Sequence, residues 1–328
     1  MSNRSRPGPS LKGTSLPSRP VVAFTCGDPC GVGPQIVVSA LRQGRLARFC
    51  RPLLVGETAV WRRCGWRPGA VPVWSTGLAL QPPPFGRVTK AGGTMSFAAV
   101  ETAVRLAGRG LVDALVTAPV CKAAWSLAGV PYRDHTEYLR AATGSDAQMI
   151  LAAPARNLWC VLATRHIPLA RVSGALTAAK VLAAARVLHG ALRRLGLRRP
   201  RLVLCGLNPH AGEGGLLGRE EGRILAPAAR SARREGLDLS GPLPADAAWR
   251  LHAQGGCAGL VCLYHDQALI GLKAAAGPGV VNWTAGLPFV RVSPGHGTAF
   301  DKAGTGRADP AATIEAALLA IRLLRRRK

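Results

Sequence analysis

Length and composition set the first limits on this protein. The 328 residues are enough for two domains of ordinary size, and a hydrophobic fraction of 48% excludes a globally disordered chain. The formal net charge of +26 is typical of nucleic-acid-binding proteins, but the arginines are spread along the chain and aromatic residues make up only 5%. Nucleic-acid binding is therefore disfavoured as the main function.

The nine cysteines indicate the compartment. None forms a CxxC pair, their number is odd, and several lie inside apolar runs, where a free cysteine behaves as a small hydrophobic residue. This pattern favours a reducing cytoplasm over a disulfide framework. No segment reaches the roughly 20 apolar residues that a membrane-spanning helix requires, so we expect no membrane association.

The first predicted element is a tail. Residues 1–19 are polar, rich in proline and free of acidic residues, which is typical of a flexible segment. Apolar runs rich in β-forming residues follow, each ended by glycine, proline or polar residues. In chain order the predicted strands lie at 21–27, 52–57, 113–120, 157–164, 201–208, 258–266 and 279–286.

Stretches rich in alanine, leucine and arginine separate many of these runs and predict helices at 177–195, 219–235 and 310–325. For the last helix, the sequence predicts Asp309 as the N-cap and Pro310 as the first helical residue. Helices alternating with strands that are apolar on both faces predict an α/β fold whose sheets are covered on both sides. Such sheets bind ligands beyond the carboxyl ends of their strands.

Three histidines follow the carboxyl ends of predicted strands, namely His166, His210 and His265. They lie in separate segments that a parallel sheet can bring together. Three imidazoles with an open fourth position form a catalytic metal site in many enzymes. Since a single histidine in such a position is more often structural, placement alone leaves both interpretations open.

Two carboxylates accompany these histidines. Asp266 is adjacent to His265, and Asp246 lies in "GPLPADAAW". A carboxylate near a metal can orient a ligand or accept a proton, so both are candidate catalytic residues. For Asp246 the alternative is a helix N-cap after a proline turn.

Other polar side chains are candidates for anion binding. Each could instead be a solvated charge or a helix cap; they are Lys122, His135, Thr136, Lys273 and Arg291. The segment "GDPCGVGPQI", residues 27–36, follows a strand and opens a predicted helix, and it resembles a phosphate-binding turn. It fits neither the GxGxxG nor the P-loop pattern, so it is only a weak indication of phosphate binding.

Several segments, taken in order, resemble the 4-hydroxythreonine-4-phosphate dehydrogenase family of pyridoxine 5'-phosphate biosynthesis. "GLNPHAGEGG" and "YHDQ" are the longest and most specific. The matching stretches are "GDPCGVGPQI", "TAPVCK", "DHTEYL", "ATRHIPL", "CGLNPHAGEGGLLGREE", "GPLPAD", "YHDQALIGLK" and "VNWTAGLPFVRVSPGHGTAFDKAGTGRADP". Together they cover nearly the whole chain after the tail.

The resemblance implies a fold similar to that of isocitrate and isopropylmalate dehydrogenases, with two α/β domains and mixed sheets covered by helices on both faces. By this analogy residues 20–130 and 270–328 form the first domain and residues 131–269 the second, with the active site in the cleft between them. The resemblance also implies a homodimer in which the partner subunit completes each active site.

The resemblance further implies roles for individual residues. The metal ligands map onto His166, His210 and His265, and one ligand, His210 or another, could be donated across the dimer. Asp246 and Asp266 match acidic residues of the family's site. The substrate contacts map onto His135, Thr136, Lys273, Asn282 and Arg291.

The implied reaction is the oxidation of 4-phosphooxy-L-threonine to 2-amino-3-oxo-4-phosphooxybutanoate, which decarboxylates to 3-amino-2-oxopropyl phosphate. The cofactors would be NAD or NADP and one divalent ion per subunit, either zinc, cobalt or magnesium. The ion would lower the pKa of the substrate hydroxyl, and Asp246 or Asp266 would take its proton. Lys273 and Arg291 would hold the phosphate or the carboxylate of this small phosphorylated hydroxy acid.

Some positions depart from the family pattern and leave the substrate open. Asp134 stands where the family usually has glycine, and Cys121 replaces the usual asparagine or histidine before Lys122. Related enzymes oxidise D-threonate or D-erythronate 4-phosphate, or a terephthalate cis-dihydrodiol, and these remain alternative activities. A basic nucleic-acid-binding protein without catalytic activity is the alternative from another class.

Overall fold

The computed structural model describes residues 19–326, so the predicted tail lies almost entirely outside the described residues. The described chain forms one sheet of eleven strands, ordered β3-β2-β1-β4-β11-β10-β5-β6-β9-β7-β8. The strands are β1 Val21–Thr25, β2 Arg51–Val55, β3 Val73–Trp74, β4 Ala114–Thr117, β5 Gln148–Ala153, β6 Leu158–Leu162, β7 Leu202–Cys205, β8 Leu239–Leu243, β9 Gly259–Cys262, β10 Val281–Ala285 and β11 Val290–Pro294.

The sheet is mixed, which confirms the predicted fold class. Strand β10 is antiparallel to both β11 and β5, β5 is antiparallel to β6, and the other neighbouring pairs are parallel. Each predicted run contains a strand. Most of these strands end before the polar residues that close the run, since hydrogen bonding to the neighbouring strand does not extend that far. Strands β3, β5, β8 and β11 are not among the predicted runs. Strand β3 has only two residues, and β8 contains a glycine and a proline, which are poor strand formers.

Helices cover both faces of this sheet. They are α1 Gly33–Arg42, α2 Thr58–Arg63, α3 Lys90–Gly108, α4 Lys122–Leu127, α5 His135–Thr143, α6 Val172–Ala175, α7 Ala178–Arg194, α8 Ala226–Arg234, α9 Ala245–Ala253, α10 His265–Ala276 and α11 Ala311–Arg325. Helix α11 begins one residue later than predicted, with Pro310 in the N-cap position. Asp309 still caps it, because its carboxylate accepts a hydrogen bond from the Ala311 amide at 2.8 Å. The predicted helix at 219–235 is a π-helical turn, Glu221–Leu225, followed by α8.

The core lies between the sheet and these helices. Helix α11 packs on β4, β10 and β11, and its apolar face recurs at helical spacing through Ile314, Ala317 and Ile321, which are all buried. Trp283 of β10 and Phe24 of β1 belong to the same buried cluster. Fully burying side chains of this size contributes about 1.5–3 kcal/mol each, so the sheet centre is a rigid base for what lies at its edges.

The two ends of the sheet come from different parts of the chain. Strands from residues 20–130 and 270–328 form the end from β3 to β10, and strands from residues 131–269 form the end from β5 to β8. The two sets of strands meet between β10 and β5. The division into two domains itself stays a prediction.

Within residues 19–326, no single helix is long and apolar enough to cross a membrane. The helical segments Leu169–Ala175 and Ala178–Arg194, bent by 97° relative to each other, pass a test of length and composition only.

Candidate active site

A cleft of about 380 Å³ opens where the two ends of the sheet meet. Helices α4, α5 and α10, the segment after β6 and strands β10 and β11 all contribute side chains to it. Most of the residues predicted for the site line this cleft, namely His135, Thr136, His166, His265, Lys273, Asn282 and Arg291. The tertiary structure thus gathers residues that are up to 156 positions apart in the chain.

Two of the three predicted metal ligands meet in the cleft because their strands are neighbours. Strands β6 and β9 are parallel, with Leu162 opposite Cys262, so the segments that follow them leave the sheet at the same edge. His166 lies four residues after β6 and His265 opens α10 three residues after β9. The centroids of the two imidazole rings are 5.5 Å apart.

The two imidazoles are suited to binding a metal. The Nδ1 atom of His265 lies 2.6 Å from Oδ1 of Asp266, which leaves Nε2 as the free ring nitrogen. A carboxylate that holds one nitrogen of a ligating histidine orients the ring and raises its basicity. Partial burial, together with Lys122 and His265, lowers the pKa of His166, so its imidazole is neutral at pH 7.

The remaining predicted site residues lie away from this cleft. His210 is exposed in the loop after β7, and no group of three metal-ligating side chains forms among residues 19–326. Asp246 is exposed in the first turn of α9, where Pro244 and not Asp246 occupies the N-cap position. The side chain of Asp266 is 69% exposed and touches the cleft only through His265. Of the three imidazoles predicted as metal ligands, a single chain therefore brings two together in the cleft.

Arg291 supplies a buried positive charge to the cleft. It is 3% exposed, and its guanidinium donates to the hydroxyl of Thr117 at 2.6 and 3.0 Å and to the hydroxyl of Thr284 at 2.8 Å. None of the described carboxylates forms an ion pair with it. Burial lowers its pKa to about 10, so it stays charged at neutral pH. A buried cation that has only hydroxyl partners is suited to binding an anion.

Two further polar atoms in the cleft are buried without a partner in the described part of the chain, the Nε2 atom of His135 and the Oδ1 atom of Asn282. Burial and the nearby charge of Arg291 hold the pKa of His135 well below its usual range, so this ring is neutral. An unpaired buried polar atom costs about 1–3 kcal/mol. A ligand with both hydrogen-bond donors and acceptors would recover that free energy.

Asp134, the departure from the family pattern, also lines the cleft. It is the N-cap of α5, and its Oδ1 atom accepts hydrogen bonds from the amides of Thr136 and Glu137 at 2.9 and 3.0 Å. Its Oδ2 atom lies 3.7 Å from Nζ of Lys122. The carboxylate therefore occupies helix amides that would otherwise be free to bind a ligand anion.

Two basic residues of the cleft are not among the predicted ones, Arg165 and His296. Arg165 directly precedes His166, so its place after a strand end was a usable signal. His296 lies in "SPGHG", a loop that gives no local sign of facing the cleft.

The glycine-rich segment 27–36 has a structural role. A Cβ atom on Gly31 would lie 2.7 Å from the carbonyl oxygen of Thr298, and one on Gly33 would lie 2.5 Å from that of Cys26. These glycines permit close packing of backbone against backbone. None of them lines the cleft, so the resemblance to a phosphate-binding turn does not place an anion there.

A second cavity of about 400 Å³ adjoins the cleft and shares Lys273, Gly295 and His296 with it. Its other walls include Val32 and Ile36, which are apolar, and polar groups further along the chain. A mixed apolar and polar cavity next to the imidazoles is suited to a flat aromatic cofactor with a polar tail.

The fold defines the class of protein as an α/β protein with the isocitrate dehydrogenase type of fold. The structure of isocitrate dehydrogenase from Methylococcus capsulatus superposes with a TM-score of 0.50 at 16% identity, covering 93% of this chain and 87% of that one. This likeness concerns the fold alone.

Within that class the family is specific. Residues 49–320 match the family described as pyridoxal phosphate biosynthetic protein PdxA, and the chain belongs to this family. The 4-hydroxythreonine-4-phosphate dehydrogenase of Geobacter metallireducens is 39% identical over 94% of this chain and 96% of that protein. The crystal structure of the Klebsiella pneumoniae enzyme of the same name has a TM-score of 0.80 at 34% identity, covering 94% and 99% of the two chains.

Relatives named for other substrates are nearly as similar. A protein of Symbiobacterium thermophilum, provisionally named D-threonate 4-phosphate dehydrogenase, is 38% identical over 92% of this chain and 96% of its own length. The structure of a terephthalate 1,2-cis-dihydrodiol dehydrogenase from Burkholderia xenovorans is 33% identical, with a TM-score of 0.61, over 93% and 97% of the two chains. Identity alone therefore does not separate the substrates.

Proposed function

We propose that this protein is a nicotinamide- and metal-dependent dehydrogenase that oxidises 4-phosphooxy-L-threonine in pyridoxine phosphate biosynthesis. The observation that carries the proposal is Arg291, a buried guanidinium without a carboxylate partner that faces the same cleft as two imidazoles. An anionic hydroxy acid would pair with the guanidinium of Arg291, and a metal-assisted oxidation would use the two imidazoles as metal ligands. Family membership and the names of the relatives support this reaction.

The cleft and the adjoining cavity contain part of what a divalent ion and a nicotinamide nucleotide would need for binding. His166 and His265 would hold a divalent ion, with His210 of a second chain as the third ligand, and imidazole ligands suit zinc or cobalt better than magnesium. When bound, the ion would polarise the substrate hydroxyl and NAD or NADP would accept a hydride. The second cavity beside Lys273 and His296 would hold the nicotinamide nucleotide.

The chain's own residues would bind and orient the substrate. Arg291 and Lys273 would hold its phosphate or carboxylate, with Thr136 beside them at the start of α5. The neutral ring of His135 and the amide of Asn282 would make hydrogen bonds that fix its orientation. Holding the reacting carbon in one position accounts for much of the rate enhancement that such sites achieve.

The two candidate acidic residues would have different roles. Asp266 would keep the proton of His265 on Nδ1, so that the lone pair of Nε2 is available to the metal. Asp246 and His210 follow the neighbouring parallel strands β8 and β7 at one edge of the sheet. Asp246 would accept the hydroxyl proton in the site that His210 completes.

A second copy of the chain is the proposed partner. His210 is exposed, and apolar side chains are exposed in the same loop and near the cleft, with Leu216 at 80%, Ile270 at 70% and Leu169 at 70%. An apolar surface of this kind, next to an incomplete ligand set, favours a homodimer with the active site at its interface. The free cysteines suit a cytoplasmic location.

The test is a kinetic comparison with the purified, zinc- or cobalt-loaded protein. Reduction of NAD or NADP is followed with 4-phosphooxy-L-threonine, D-threonate 4-phosphate, D-erythronate 4-phosphate and the terephthalate dihydrodiol. We expect the highest kcat/KM with the first substrate. A higher value with another substrate would reassign the activity within the family, and no reduction with any of them, together with tight salt-dependent nucleic-acid binding, would favour the non-catalytic alternative.

A further inference from the structure

The loop that carries His210 has an unusual backbone. Residues 210–214 all adopt left-handed conformations, and His210, Ala211 and Glu213 do so although they are not glycine. In a residue other than glycine, such a conformation costs about 1–3 kcal/mol and persists only where surrounding contacts impose it. Something outside the loop must therefore hold it in place.

Glu221 makes the contacts that hold this loop. It is 7% exposed, and its Oε1 atom accepts hydrogen bonds from the amides of Leu207 and Asn208 at 2.8 Å each. Its Oε2 atom accepts another from the Asn208 side-chain amide at 2.9 Å. A Cβ atom on Gly212 would lie only 2.7 Å from Oε2, so the loop closes directly over the carboxylate.

A second carboxylate extends the network away from the loop. Glu220 accepts from the same Asn208 side chain at 2.9 Å and from the hydroxyl of Ser173 at 2.5 Å. Although burial opposes ionisation of Glu221, the hydrogen bonds from Asn208 and Leu207 lower its pKa, so it is charged at neutral pH. The loop is thus bound to the body of the protein by charge-assisted hydrogen bonds.

We propose that Glu221 is the positioning residue for His210, holding the left-handed loop so that the imidazole projects from the surface into the cleft of a second copy of the chain. This inference rests on the proposed function, in which His210 completes the metal site. All three groups that bind Glu221 are donors, so only a carboxylate satisfies them. Glu221→Gln keeps the volume of the side chain but places its NH₂ group against the side-chain NH₂ group of Asn208, where both would be donors. The loop would therefore lose one of the contacts that fix its position.

Mixed dimers test this without relying on turnover. One chain carries His265→Ala and supplies only His210, and the other carries His210→Ala and supplies His166 and His265, so each mixed dimer has one complete site. Co²⁺ affinity is measured by equilibrium dialysis, and the visible absorption of bound Co²⁺ reports its coordination. Glu221→Gln is then placed on one chain or the other.

We expect Glu221→Gln to weaken Co²⁺ binding about 10- to 100-fold and to change the absorption when it is on the chain that supplies His210. It should have no effect on the chain that carries His210→Ala. Equal effects on both chains, or no effect on either, overturn the proposal. If mixed dimers with Glu221 intact bind Co²⁺ no better than each parent, the shared metal site itself is wrong, and the positioning role falls with it.

A second variant keeps the test decisive if Glu221→Gln does not fold. Gly212→Ala leaves the carboxylate unchanged but places a methyl group against it at a position with φ of +81°. It should reproduce the loss of Co²⁺ affinity from the same chain. Ser173→Ala, which removes only the outer contact to Glu220, is the matched control and should leave the affinity within about twofold. Loss of affinity in Ser173→Ala without loss in Gly212→Ala contradicts a role for the loop.

Discussion

Replacing Arg291 by methionine tests whether the buried charge serves ligand binding or folding. Three of the five guanidinium N–H groups donate to the hydroxyls of Thr117 and Thr284, which leaves two for a ligand. Hydrogen bonds to charged groups contribute about 1.5–3 kcal/mol each. Loss of two such bonds is about 3 kcal/mol or more, so we expect Arg291→Met to lower kcat/KM at least about 100-fold.

The same substitution should destabilise the fold only slightly. Burial lowers the pKa of Arg291 from its ordinary value to about 10, which corresponds to roughly 3 kcal/mol of unfavourable free energy for folding with the charge in place. Loss of the three hydrogen bonds from the charged guanidinium to Thr117 and Thr284, at about 1.5 kcal/mol each, acts in the opposite direction. The two contributions largely offset each other, so we expect the free energy of unfolding to fall by only about 1–2 kcal/mol.

Steady-state kinetics and urea unfolding measure the two quantities. Arg186→Met is the matched control, because Arg186 is exposed, forms its ion pair with Glu235 on the surface, and lies outside the cleft. It should change neither kcat/KM nor stability by more than a small factor. A loss of stability in Arg291→Met of several kcal/mol, with activity falling in proportion, would refute an anion-binding role and indicate a structural one.

Three further predictions concern residues in or beside the cleft. Asp266→Asn should weaken Co²⁺ or Zn²⁺ binding about 10- to 100-fold in dialysis, because His265 loses the carboxylate that holds its Nδ1 proton; unchanged affinity would remove the orienting role. Asp134→Ala should lower the free energy of unfolding by about 1 kcal/mol in urea, since α5 loses its N-cap, and an unchanged value would mean that the cap contributes nothing. The lowered pKa of His135 keeps its ring neutral in the folded protein, whereas the unfolded chain binds a proton there as the pH falls below about 6.5, so the free energy of unfolding decreases. His135→Gln should therefore make the free energy of unfolding less dependent on pH between about 6.5 and 5. An identical pH profile in the variant would contradict the lowered pKa.

The sequence by itself determined the fold class and many of the polar residues of the cleft. Apolar runs ended by polar residues predicted strands such as β1, β6 and β9, and the position after a strand end singled out His166 and His265. This reasoning works because hydrophobic periodicity and breaks are local properties of the chain. The short strand β3 and the glycine- and proline-containing β8 lack that local signal, since neighbouring strands rather than their own composition stabilise them.

The tertiary structure decided which predicted residues lie together. Strands β6 and β9 are neighbours, so His166 and His265 meet, whereas the loop after β7 carries His210 to the surface. The tertiary structure also decided the burial and the hydrogen-bond partners of Arg291, because nothing in "FVRVSP" shows that its guanidinium is buried with hydroxyl partners only. The physical reason is that burial, strand order and the partners of a charge depend on contacts between distant segments, which no local pattern in the sequence specifies.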